Sequence, residues 1–510
     1  LDRMVSYNFG ARYQSASEVL EALRQIKGAY SPTLLTSKQS VDRARPDRKI
    51  LLKVGLVAVA GLIGFIIFKN LDALLIIVEP NRYLILQPSS QYLNERISFG
   101  TKVLALGSEN KFKKRGVELI ESGDYKQASL VLEKSRQINP ADPETLIYLH
   151  NALIGKGKSY SIAVAVPLGK SLDSALEMLR GVAQAQHEIN SSGGIKGVPL
   201  KVAIANDDNQ PKIAKNIAKD LVQNPEILGV IGHGISDTTK AAGSIYQAGE
   251  LVAVSPVSSA VQLSGFSGYL FRTMPSDRFT ARALANYMLT NLKMQKAAVF
   301  YNSNSLYSKS LKDEFKDALF YMGRGKILFE IDLYQPDFNP KKSIDLAIIR
   351  GAETIVLLPS SDVLERALLV VQMNRKQLKI IAGDGFYTPS ILEIGGEEAE
   401  GMVLAIPGEI TGDRGKQFRT AAKKLWGQEV NWRTALSYDA TLALVAAIAK
   451  NPTRKGVQHV LSAPEFSLVG ATGEVSFRDT GDREAPVQLV IVTPITPGKP
   501  ENGYKFKPLN

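Results

Sequence analysis

Three short loops in this sequence carry residues that could do chemistry on a small charged molecule. GVIGHGISDTT, residues 229–239, sets Ser236 just ahead of a helix, where its hydroxyl and the free backbone N–H groups can receive an anion. SPVSSA crowds Ser255, Ser258 and Ser259 into one turn with available donors. KIIAGDGFY places Asp384 at a strand end, a position suited to an ammonium group. Each feature alone has a plainer reading, because serines cap helices and an Asp between two glycines forms turns. Two serine-rich loops after successive strands change the balance, since a small carboxylate fits between them. With Asp384 for an ammonium, the expected ligand is a small zwitterion.

Other chemistries are excluded by what is missing. There is no cysteine, hence no disulfide, thiolate zinc site, iron–sulfur cluster or cysteine nucleophile. The four histidines, His150, His187, His233 and His459, show no HExxH spacing, so no metal is expected. The loop after the first strand, PLGKSLDS, lacks G-x-G-x-x-G, and no G-x-S-x-G nucleophile turn occurs. His233 lies beside the first of the serine loops. The sequence therefore predicts a binding protein without cofactor, not an enzyme.

The elements that must position these loops begin at Tyr160. Strands such as SIAVAV, LKVAIA and ILGVI arrive every 25 to 30 residues with amphipathic helices between them, the pattern of a parallel sheet covered on both faces. A second cycle runs through KAAVFY, KILFEI, TIVLLP and KIIAG. The predicted fold class is α/β, two doubly wound parallel-sheet lobes with a cleft between them. Open parallel sheets bind at the carboxyl ends of their strands, so facing lobes make a cleft lined by such loops.

The region upstream is different. The net charge of +12 has its densest contribution between Lys38 and Lys53, where six basic residues precede the apolar run LLKVGLVAVAGLIGFIIF. At about 1.5 Å per residue, Leu51 to Phe68 spans roughly 27 Å, close to a bilayer core. One transmembrane helix is expected over residues 50–69, with the basic flank cytoplasmic and the C-terminal region periplasmic or extracellular. That placement ties the charge to a membrane and leaves no nucleic-acid partner. Residues 28–49 read as a basic linker and 70–106 as a juxtamembrane segment. Over 107–157, Gly116, Gly123, Tyr125, Ala128 and Pro140 fall at the spacing of a tetratricopeptide-like repeat.

Two resemblances complete the reading. Residues 1–27, with RYQSASEVLEAL, resemble the last helical turns of a serine/threonine kinase domain, although no catalytic motif of such kinases is present. From about Ser161 to Pro494, NSSGGIKGVPLKVAIANDDNQP, VIGHGISDTTKAAGSIY, VAVSPVSSAVQL, YLFRTMPSD and ALSYDATLALVAAI resemble the type I periplasmic binding proteins of the leucine/isoleucine/valine-binding family, which include substrate-binding components of ABC transporters. That resemblance implies that Ser236 and Ser259, through their hydroxyls, and Val257, through its backbone, hold the ligand carboxylate and amino group. It also implies that Asp384 takes the ammonium and that Tyr307 lines the cleft. Ser360 and Ser361 stand where a leucine-binding protein has an aromatic residue, which speaks against a branched-chain ligand. The binding domain is expected over 158–510, with lobe 1 at about 158–277 and 408–485 and lobe 2 at about 278–407 and 486–510. The implied function is a membrane-anchored solute-binding component serving an ABC permease. The alternative is a ligand-sensing receptor joined to a cytoplasmic kinase domain.

Overall fold

The computed structural model describes residues 95–509, apart from 106, 108, 109, 409 and 411. The kinase-like segment, the basic linker and the expected transmembrane helix lie outside the described residues, as does most of the juxtamembrane segment. Among the described residues no helix is long and apolar enough to cross a membrane.

A two-residue strand, β1 (Ile97–Ser98), is followed by helices α1 (Lys111–Glu121), α2 (Tyr125–Ile138) and α3 (Pro143–Ile154). Asn110, Asp124 and Asp142 start the three helices by accepting backbone N–H groups that have no partner within the helix. Gly116 lets α1 and α2 approach, since a Cβ there would lie 2.5 Å from the Leu132 side chain. The helices share one continuous apolar core with the sheet that follows, Leu146 and Ile147 packing into the same cluster as Ile162 and Val202.

That sheet is built from β2 (Tyr160–Val166), β3 (Leu200–Asn206), β4 (Ile227–Ile231), β5 (Ala253–Ser255) and β6 (Leu270–Arg272). Helices α4 (Leu172–Ser191), α5 (Pro211–Gln223) and α6 (Ser236–Ala248) form the crossovers. The strand order is β1-β3-β2-β4-β5-β6, parallel except for β1, which runs antiparallel along β3. The central strands are buried along almost their whole length because helices cover both faces.

The chain then crosses to a second lobe. It comprises α7 (Asp277–Asn286), β7 (Lys296–Tyr301), α8 (Leu306–Met322), β8 (Lys326–Asp332), α9 (Pro340–Ile349), β9 (Thr354–Leu358), α10 (Leu364–Asn374), β10 (Lys379–Ala382) and β11 (Val403–Pro407). It returns through α11 (Gly412–Trp426), α12 (Trp432–Lys450), α13 (Arg454–Leu461), β12 (Leu468–Gly470) and β13 (Gly473–Val475). Helix α12 lies tightly on α4 because residue 181 is glycine, where a Cβ would come within 2.2 Å of the Thr434 carbonyl. A last crossing gives β14 (Val487–Thr496) and β15 (Lys499–Pro508), which finish the second sheet in the order β15-β14-β11-β10-β9-β7-β8. The expectation of wholly parallel sheets needs correction. Both sheets are mixed, with β1 antiparallel in the first and β14 and β15 antiparallel in the second. These additions come from chain outside the alternating strand–helix repeat, so the repeat could not announce them.

Each lobe reverses its winding once, between β2 and β4 in the first and between β7 and β9 in the second. The crevices outside the carboxyl ends of those strands are where such sheets take ligands.

Candidate functional site

In lobe 1 the two serine loops follow β4 and β5. Ser236 is the first residue of α6, and its Oγ accepts the Ala260 N–H at 3.3 Å, which ties the loops together and leaves its own proton free to donate. Ser258 is committed elsewhere. Its Oγ pairs with Thr239 Oγ1 at 2.7 Å and reaches the His233 carbonyl at 3.4 Å, while its N–H donates to Ser255 Oγ at 3.1 Å. Ser259 is the opposite case, buried at 1% exposure with no hydrogen-bond partner for its Oγ. Val257 packs against the apolar cores of both lobes. The loop is held from behind by His233, whose Nδ1 lies 2.5 Å from Asp207 and whose Nε2 lies 2.9 Å from the Tyr246 hydroxyl.

In lobe 2, Tyr307 at the start of α8 donates its hydroxyl proton to Asp384 Oδ1 at 3.0 Å and accepts the Gly385 N–H at 3.0 Å. The glycines on either side of Asp384 exist for this contact. A Cβ at Gly383 would sit 2.6 Å from Leu311, and one at Gly385 would sit 2.7 Å from the Pro359 carbonyl and 2.9 Å from the Tyr307 ring. Asp384 is 4% exposed, and burial pushes its carboxyl up to about 6 although Arg433 and Tyr307 favour the charged form. Ser360 stands at the lobe 2 reversal and bonds to Asn302 at 2.6 Å and to Asp362 at 2.5 Å, while Ser361 beside it is exposed.

Two residues that sequence reasoning passed over complete the arrangement. Asp277, the first residue of α7, is wholly buried and neither carboxylate oxygen has a hydrogen-bond partner, although its N–H donates to the Ser259 carbonyl at 2.9 Å. Burial pushes its carboxyl up to about 7; the Ser259 and Ser310 hydroxyls and Arg272 pull down, and the charge of Asp384 pushes up further. Arg433, from the first turn of α12, donates to the Tyr387 carbonyl at 3.1 Å and the Asp384 carbonyl at 3.4 Å, and its Nε has no partner. The only trace of Asp277 in the sequence was its place ahead of an apolar-periodic helix, which any capping residue shares. Arg433 gave no trace, because the α12 turn that carries it reaches the cleft only through the chain's second crossing.

The cleft therefore joins hydroxyl and backbone donors from lobe 1 to two carboxyl groups from lobe 2. Donors of that kind hold an anion, and a buried carboxyl lacking partners calls for a cation. Among the described residues no group of histidines and carboxylates has the arrangement of a metal site.

A family model described as periplasmic binding protein matches residues 160–499. The chain belongs to the periplasmic binding protein family. Among relatives of this periplasmic binding protein, an amino acid binding protein of Pseudomonas aeruginosa is 28% identical over 328 residues, 61% of this chain and 84% of the relative. A Leu/Ile/Val-binding protein homolog of Brucella abortus is 26% identical over 334 residues, 64% of this chain and 88% of the relative. Among solved structures, an ABC transporter substrate-binding protein of Desulfitobacterium hafniense in complex with Leu has a TM-score of 0.59 at 24% identity, covering 69% of this chain and all (100%) of the other. A solute-binding protein of R. palustris in complex with benzoate has the same TM-score of 0.59 at 15% identity, covering 69% of this chain and 96% of the other. The periplasmic binding fold is thus shared across different ligands, and the ligand must be argued from the side chains.

Proposed function

We propose that this protein is an extracytoplasmic solute-binding component of the ABC-transporter type, which closes its two lobes on a small α-amino acid. The observation that carries this reading is Asp277, a fully buried carboxyl with neither oxygen partnered, beside the equally unpartnered Ser259 hydroxyl. A charge balance follows. Asp384 already has the Tyr307 hydroxyl within hydrogen-bond geometry and the nearby Arg433 guanidinium, whereas the Ser259 and Ser310 hydroxyls and Arg272 act on Asp277 without any of them closing a hydrogen bond to it. One ligand ammonium beside Asp277 balances the cleft, and Asp384 and Tyr307 bound the same space from the other side. The ligand carboxylate then falls to the Ser236 and Ser259 hydroxyls and the α6 N-terminus, which supply donors without a full positive charge. Closure removes water, so each of these contacts acts in a lower dielectric than it would on an open surface.

The relatives in Pseudomonas and Brucella, named for amino acids, support this ligand class. Ser360 with its Asn302 and Asp362 partners makes the lobe 2 wall polar, which favours a polar side chain on the ligand over a branched apolar one. The apolar run at 51–68 supports anchoring by one helix, with delivery to a permease as the role. The kinase-like residues 1–27 support the second reading, a receptor domain of a transmembrane kinase, and both readings use the same cleft.

The test is thermal stabilisation by a panel of α-amino acids set against carboxylic acids without an amine, benzoate and 4-hydroxybenzoate among them. A ligand at 100 times its dissociation constant adds about 2.7 kcal/mol of stability, a readable melting shift. Stabilisation by an amino acid and not by the amine-free acids is expected. The reverse result overturns the ligand class.

A further inference from the structure

Helices α6 and α8 begin at the carboxyl edges of strands in opposite lobes, so their N-termini meet across the cleft. Each brings roughly half a positive charge and backbone N–H groups without partners in their own helix. One side chain serves this meeting. Asp237, in the first turn of α6, accepts the Leu306 N–H at the start of α8 through both oxygens, at 3.3 and 3.1 Å. Ser305, the residue that caps α8 from its own lobe, gives its Oγ to the Ser308 N–H instead, so the Leu306 donor is met from the opposite lobe. One turn further along the same face of α8, the buried Ser310 Oγ accepts the Val261 N–H of lobe 1 at 3.0 Å.

We infer that the Asp237 side chain, supported by Ser310, is a closure latch: a positioning group that sets how tightly the protein holds its ligand by pairing the lobes with one another, its carboxylate spent on the opposite lobe and not on the ligand. The inference rests on the proposed capture of a solute between the lobes. Opening the cleft separates Asp237 from Leu306 and returns both to water, so the bond counts only in the closed state. An affinity measured in solution is the intrinsic one reduced by the fraction of molecules able to close, and a latch acts on that fraction. Acceptor capacity matters more than charge. Burial pushes the Asp237 carboxyl above its ordinary value, with the Leu306 N–H and Lys309 acting against that and Asp362 with it. An asparagine oxygen at this position would accept the same N–H without the cost of burying a charge.

The chain has no cysteine, so two introduced ones are unique labelling sites. In the full chain, Lys215→Cys on α5 and Lys342→Cys on α9, both exposed, carry spin labels that report the distance between lobes. Asp237→Ala is expected to shift the ratio of short to long distances about tenfold toward long and to raise the ligand off-rate by a similar factor. Asp237→Asn should restore both. A merely structural role would lower the melting temperature and leave the ratio alone. The latch is overturned by an unchanged ratio in Asp237→Ala, by equal losses in the Ala and Asn variants, or by a parent protein that never shows the short distance. If the ratio moves as stated while no amino acid stabilises the protein, the latch stands and the ligand reading falls.

Discussion

The junction between the three N-terminal helices and lobe 1 and the cleft between the lobes are made from the same materials, buried acids, amides and hydroxyls, and they treat them oppositely. Beside that junction, within the N-terminal helices, Lys113 of α1 is fully buried and paired with Asp142 at 2.8 Å and Glu144 at 2.6 Å at the start of α3. Burial alone would lower its ammonium, yet the two carboxylates more than offset this and hold it above its ordinary value. Glu144 also receives the Leu104 N–H at 2.6 Å and the Tyr148 hydroxyl at 2.9 Å. Asn151 bonds to Phe99, Gln186 and both backbone groups of Val202. In the cleft, Asp277 and Ser259 have no such partners, and the carboxyls of Asp277 and Asp384 are pushed up to about 7 and about 6. A buried polar group whose partners are built in specifies structure. A buried carboxyl with neither oxygen partnered, as at Asp277 in the cleft, is open to a cation that arrives from outside.

The comparison can be broken most forcefully at the junction. Lys113→Ala strands two buried carboxylates and should cost about 3 to 5 kcal/mol in chemical denaturation, with the cleft's ligand affinity unchanged in whatever remains folded. A loss below 1 kcal/mol would mean that this network is not the fixed structure its geometry suggests.

Acidity should act on the cleft in two opposite directions. Both carboxyls have raised folded-state values, so their contribution to stability is full below about 4 and is lost as pH rises through about 6 and then about 7. Ligand binding runs the other way, because an ammonium needs the ionised form. Affinity should be greatest above pH 7 and fall by up to tenfold per pH unit once Asp277 is protonated, more steeply below pH 6 as Asp384 follows. Calorimetric titrations between pH 5 and 8 check the slope. A flat profile would remove both acids from the ligand site.

A smaller effect sharpens the contrast within a single loop. Ser258→Ala should lose about 1 kcal/mol of stability and leave affinity within twofold, since Ser258 is spent on Thr239 and His233. Ser259→Ala should do the reverse, with affinity down about five- to tenfold and the melting temperature steady. Paired melting and binding measurements on the two variants decide it.

Much of the α/β architecture was legible in the sequence, because an alternation of apolar strands with amphipathic helices has few alternatives. SIAVAV, KAAVFY and TIVLLP occupy β2, β7 and β9. The edges were not legible. β1 pairs with β3, and β14 with β11, across 80 residues or more of chain, and pairing over that distance leaves no mark on local periodicity. The site divides in the same way. Ser236, Ser259, Tyr307 and Asp384 sit in recognisable loop motifs after strands β4, β5, β7 and β10. Ser258 is drawn back into its own loop. Asp277 and Arg433 were missed because each is ordinary where it stands in the chain, a helix-starting acid and a base on a long helix. Only the crossings between lobes bury them together.

The central claim is that Asp277 is the counter-ion of the ligand's ammonium, and one isosteric change isolates it. Asp277→Asn keeps the shape, removes the charge and relieves the burial of an unpartnered carboxylate. Calorimetry at pH 8 on the parent and the variant, with whichever amino acid stabilises the parent, should give an affinity at least about 30-fold weaker in the variant, with a melting temperature no lower. Equal affinities in the two proteins would contradict the account.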